Sequence, residues 1–123
     1  MTVAPTEGWP SDPLGALCDL LTATVKQPHP EVVTIAVFGE LDMATGDLFA
    51  RAIDNALARA PQRIIIDLSD VTFCGSTGLN LLTRARAMAS HQGIKLFLRG
   101  AERRVVAAPL QFSGLVSLFD YVT

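Results

Sequence analysis

No stretch of this 123-residue chain approaches the roughly 20 consecutive apolar residues that a membrane-spanning helix needs, so no such helix is expected. Cysteine is scarce. Cys18 and Cys74 lie far apart, without metal-ligand spacing and too few for a disulfide framework, and they read as reduced thiols in a cytoplasmic protein. Histidine is as scarce, with only His29 and His91, so neither a metal nor another cofactor is expected. The opening residues MTVAPTEGWP hold no basic segment and no apolar segment, and no export signal is expected. Excess positive charge is missing too: the formal charge is −2 and the pI near 5.5, which argues against a nucleic-acid partner.

Apolar side chains are plentiful, making up 50% of the chain, which excludes a disordered protein and suits one domain with one core. Charge is unevenly spread. Residues 1–83 hold four basic and ten acidic side chains, whereas residues 84–123 hold six basic and two acidic. The basic group is Arg84, Arg86, Lys95, Arg99, Arg103 and Arg104, which read as solvated helix faces and strand ends.

Residues 1–13, with three prolines and no periodicity, read as a flexible arm, and residues 14–123 as the folded domain. The alternation over 17–26 predicts a strand. The two prolines of 27–31 predict a loop, and the β-branched run 32–39 predicts a buried strand forming an antiparallel hairpin with the first. Leu48, Phe49, Ala52, Ile53, Ala56 and Leu57 make one apolar stripe of a helix, with Thr45 as its N-cap, Asp47 at its positive end and Pro61 as its stop. Residues 63–68 predict another buried strand and SDVTFCG a turn. A helix over 77–91 is predicted from Leu79, Leu82, Ala85 and Ala89, closed by Gly93. A strand over 94–99, a helix over 101–114 and a short strand or helical turn over 116–122 complete the pattern. Pro109 predicts a kink or a late start for that helix. The fold class is therefore α/β, a mixed and mostly parallel sheet with three or four helices in the order β-β-α-β-α-β-α-(β). Leu48, Ile53, Leu57, Ile65, Leu79, Leu82 and Leu96 are the expected core.

The unusual stretch runs from Val71 to Asn80, a small-residue loop opening straight into a helix. Ser76 or Thr77 is expected at the helix N-cap, the commonest reason for hydroxyls there. Three chemical readings compete with that structural one. A nucleophile elbow would need glycine at position 74, which is Cys74, and a base; His91 lies about 22 Å further along the same helix at 1.5 Å per residue. A phosphate cradle would need a glycine-rich motif or a nearby lysine, and has neither. A regulatory phosphosite, which adds charge at a helix start, remains open alongside the cap.

Gly39-Glu40-Leu41-Asp42, Ile64-Ile65-Ile66-Asp67-Leu68-Ser69, Val71, Phe73, Ser76-Thr77-Gly78-Leu79, Gly114-Leu115 and Leu118-Phe119 together resemble the STAS domain. The resemblance covers about nine-tenths of the chain, from Leu17 onward. It implies a STAS-like fold and, with no transporter segment attached, a stand-alone anti-sigma factor antagonist. Such antagonists capture an anti-sigma factor that is also a serine kinase and so release a sigma factor for transcription. Phosphorylation ends the capture and a serine phosphatase restores it. The family's acceptor falls on Ser76, with Thr77 as the lesser choice, and its acidic residue after G-E-L falls on Asp42. Where relatives carry aspartate before the acceptor, this chain has Gly75, which implies slower phosphorylation. Cys74 reads as buried core. The expected partner surface is Asp42, Ser76, Thr77, Asn80, Thr83 and Arg84, on a protein that is a monomer or weak dimer and not an enzyme. An alternative is a STAS accessory subunit of a membrane lipid-transport complex, and a third reading is nucleotide binding at the Ser76 loop.

Overall fold

Two β-branched hydrophobic runs, at 32–37 and 63–68, form the centre of a five-stranded sheet whose strands lie side by side in chain order. The structure, a computed structural model, describes residues 21–123. The arm over 1–13, the start of the first strand at 17–20 and Cys18 lie outside the described residues.

β1 (Leu21–His29) and β2 (Val32–Leu41) make the expected antiparallel hairpin. The ladder continues past Pro28, where a loop was predicted, and its register slips between Lys26 and His29. Because β1 is an edge strand, the N–H that Pro28 lacks is not needed by a second neighbour. The remaining strands, β3 (Arg63–Cys74), β4 (Lys95–Arg99) and β5 (Asp120–Val122), run parallel to β2. Helices α1 (Gly46–Ala58), α2 (Ser76–His91) and α3 (Arg104–Phe112) form the crossovers, and a 3₁₀ turn (Val116–Leu118) precedes β5. Helix α3 takes the late start, at Arg104, and carries Pro109 inside it.

One alternate set of side chains from each central strand is buried: Val33, Ile35 and Val37; Ile64, Ile66 and Leu68; Leu96 and Leu98. The intervening positions are half-exposed or exposed, so the helices cover one face and leave the other open. Ile65, expected in the core, belongs to this open face and is half-buried. Leu48 is also only half-buried, because Phe49 takes the inward position at the start of α1. Ile53, Leu57, Leu79, Leu82 and Leu96 are buried as expected.

Of the segment predicted as a turn, 69–75, residues 69–74 are the distal part of β3. It passes two register shifts against β2: Ala36 and Phe38 oppose Asp67 and Asp70, and Gly39 and Glu40 oppose Val71 and Phe73. Each shift inserts one extra β3 residue, the signature of a β-bulge. Bulged strands break strict alternation, which is why this stretch reads as a turn.

Candidate functional site

The last rung between the two central strands pairs Leu41 with Cys74, and the Gly75 amide then donates to the Leu41 carbonyl at 2.9 Å. Asp42 and Ser76 therefore leave the sheet side by side, at the carboxyl edge where parallel α/β sheets keep their sites.

On the β2 side, a tight loop forms around Asp42. Its Oδ1 accepts from the Ala44 amide at 2.9 Å and the Thr45 amide at 3.2 Å. Thr45 is fully buried, and its hydroxyl donates to the Glu40 carbonyl at 2.6 Å instead of capping α1. The Thr45 expectation is thus right in position and wrong in role: the hydroxyl ties the loop back to β2. Met43, at the apex, is 86% exposed.

On the β3 side, the N-cap of α2 is Gly75 in extended conformation, with no side-chain cap. Neither Ser76 nor Thr77 caps the helix; both lie in its first turn. Backbone amides in a first helical turn lack intrahelical acceptors, and with the helix dipole they favour negative charge. Ser76 is exposed, and its hydroxyl bonds to none of the described residues. Thr77 is half-buried, and its Cγ2 stands 3.0 Å from where a Cβ on Gly46 would sit. Thr77 is therefore a packing contact between α2 and the start of α1, whereas Ser76 is open to a reagent.

Further along α2, Asn80 and Arg84 are exposed. Thr83 is half-buried and its hydroxyl donates to the Leu79 carbonyl at 2.9 Å within its own helix. Arg84 borders a shallow groove between α1 and α2 with Asp54, Leu81 and Met88. Asp42, Ser76 and Thr77 thus gather at one corner, with Asn80 and Arg84 extending it along α2.

Two residues of this corner escaped the sequence reading. Met43 and Phe73, the latter 49% exposed, set large apolar side chains beside a polar loop. A Cβ on Gly75 would lie 3.2 Å from the Phe73 ring, so the ring packs closely over this glycine. The available signal for Phe73 was a large apolar residue within an apparent turn, but the bulges hide which way it points.

Cys74 is buried, and its burial pushes the thiol up to about 11. The unfolded thiol ionises near 9.0, so between these values the folded state holds more protons and rising pH favours unfolding. Stability should fall from pH 9 towards 11, and urea midpoints should show a shallower fall in Cys74→Ala than in the wild type. Equal slopes would mean the thiol is not desolvated. Among the described residues, no three His, Cys, Asp or Glu side chains are grouped to hold a metal, and no helix is long and apolar enough to cross a membrane.

The model of the STAS domain matches residues 23–122. An anti-sigma-F factor antagonist, RsfB, of Mycobacterium tuberculosis is 35% identical over 101 residues, covering 82% of this chain and 80% of its own. The crystal structure of an anti-sigma factor antagonist from Mycobacterium paratuberculosis superposes with a TM-score of 0.71 at 31% identity, covering 84% of this chain and 86% of the other. SpoIIAA in its unphosphorylated form has the same fold, with a TM-score of 0.69 at 24% identity, covering 83% of this chain and 89% of its own.

Proposed function

The chain belongs to the STAS domain family, and we propose that it acts as an anti-sigma factor antagonist: it captures an anti-sigma factor, frees the sigma factor, and is switched by phosphorylation of Ser76. The observation that carries this reading is the exposed, uncommitted Ser76 hydroxyl at the start of α2, on the sheet edge that also bears Asp42 and the exposed Met43 and Phe73. Exposed apolar side chains beside a polar rim are the composition of a protein-docking surface. An anti-sigma factor with serine kinase activity would meet the hydroxyl at the centre of that surface. Its phosphate transfer would be reversed by a serine phosphatase, and the antagonist itself would carry out no chemistry.

Exposure supports Ser76 as the acceptor. Ser76 faces solvent, whereas Thr77 is half-buried with its methyl turned to Gly46. Gly75 has an ordinary negative φ of −94°, so an aspartate fits the backbone there once the Phe73 ring shifts by a few tenths of an ångström. Gly75→Asp should therefore fold and accelerate phosphorylation.

The test is capture of the cognate anti-sigma factor by titration calorimetry, with Arg84→Glu as the probe of the α2 surface. Reversing an exposed charge on the docking face should weaken binding at least tenfold, about 1.4 kcal/mol, with the melting temperature unchanged. An unaltered dissociation constant would remove this helix from the interface. No capture by the wild type would overturn the reading itself.

A further inference from the structure

β3 outruns its neighbour. The β3–β4 ladder ends at Asp67 opposite Arg99, although β3 continues to Cys74. Beyond Asp67, backbone carbonyls on the β4 side have no strand to pair with, and the bulges against β2 give that segment further freedom. A single side chain occupies the position that β4 vacates. Arg103 Nη1 donates to the Val71 carbonyl at 3.0 Å, the Leu68 carbonyl at 3.4 Å and the Ser69 carbonyl. The loop bearing it is pressed close: Gly100 approaches so tightly that a Cβ there would lie 2.6 Å from the Ser69 nitrogen. Asp67 Oδ1 also accepts from the Ser69 amide at 3.0 Å and the Ser69 hydroxyl at 2.6 Å.

We infer that Arg103 is a positioning residue for the Ser76 loop: its guanidinium replaces the missing strand, fixes the bulged end of β3, and so sets where Ser76 and Phe73 stand relative to Asp42. Three carbonyls held by one cationic donor make a charge-assisted clamp, stronger than the equivalent neutral bonds. The clamp ends at Val71, five residues before Ser76, and beyond it β3 is held by its rungs to β2, Phe73 opposite Glu40 and Cys74 opposite Leu41, and by the Gly75 amide on the Leu41 carbonyl. Arg103 is exposed and looks in sequence like any solvated charge; its bonds give it a different task. Arg104, beside it, is exposed too and donates to none of these carbonyls. The consequence for capture rests on the proposed role of Ser76, whereas the clamp itself does not.

Amide hydrogen exchange on the whole, unbound chain separates the two. Arg103→Met should speed exchange of the Gly75 and Leu79 amides at least tenfold, with Arg103→Lys intermediate and Arg104→Met like the wild type. Amides at the far end of the sheet, such as Arg63 and Lys95, should be unchanged in all three. Capture of the anti-sigma factor should weaken in the same order. Wild-type exchange at Gly75 in Arg103→Met, or acceleration spread evenly over the sheet, would overturn the clamp. Local acceleration without any loss of capture would overturn its positioning of the docking surface. If Arg103→Met does not fold, the lysine variant decides: local acceleration supports the clamp, and wild-type exchange overturns it. Absence of capture by the wild type would count against the proposed function and leave the exchange result standing.

Discussion

Gly100→Ala is expected to cost about 1–4.5 kcal/mol, exceeding the loss from Gly93→Ala by about 1–3 kcal/mol. Both glycines have left-handed backbone, with φ of 77° and 74°, so both substitutions incur the penalty of order 1–2 kcal/mol that a Cβ brings there. Only their surroundings differ. A methyl at Gly93 meets nothing within 4 Å, whereas one at Gly100 would lie 2.5–2.7 Å from the Ser69 hydroxyl, amide nitrogen and Cα. Backbone cannot give way as a flexible side chain can, so overpacking adds roughly 1–3 kcal/mol. Part of the shared penalty is offset in both variants by the lower chain entropy of unfolded alanine, about 0.4–1 kcal/mol. Urea denaturation of the pair isolates the steric part. Equal losses would show that the β4–α3 loop can lift from β3 at little cost, and the close approach would then be soft.

The second large effect concerns capture. Phosphate on Ser76 places about −1.5 to −2 charges at the amino end of α2, where free amides and the helix dipole favour it, so the fold should hold. The complex is where the charge is costly. A surface shaped around a neutral hydroxyl would have to desolvate a dianion, and Asp42 on the adjoining loop repels it. Phosphorylation is expected to weaken capture at least a hundredfold, about 2.8 kcal/mol at 1.4 per decade, and Ser76→Asp at least tenfold. Ser76→Ala should bind like the wild type and resist ATP. Mass spectrometry after incubation with the kinase partner locates the group. Stoichiometric phosphate on Thr77 alone would move the acceptor by one residue. Wild-type capture by Ser76→Asp would place Ser76 outside the interface.

Legibility in sequence followed regularity. Helix α1 was readable because Phe49, Ala52, Ile53, Ala56 and Leu57 keep a helical period and all are buried. The hairpin and the parallel core were readable because their β-branched runs are uninterrupted. The far half of β3 was not, since two inserted residues destroy the period of two that marks a strand. The same irregularity hid Phe73. Thr45 and Ser76 illustrate a different limit: hydroxyls at helix starts are usually caps, but here one ties a loop to β2 and the other is left open. Ile65 misled because an apolar residue suits a half-covered sheet face as well as a core. What Arg103 does could not be read at all, since its acceptors lie 32 to 35 residues away.

The hairpin register has a practical corollary. Leu21 opens β1 opposite Gly39, and Val122 in β5 lies beside Arg99, where β4 finishes, so the chain enters and leaves the sheet at the edge that carries Ser76. A tag, fusion partner or surface linker joined after Val122 will crowd that edge. Immobilised just after Val122, the domain would turn the proposed docking corner towards the support and bind more weakly than in free solution. A tether through the Ala60–Gln62 turn, at the opposite edge, would present the corner outward.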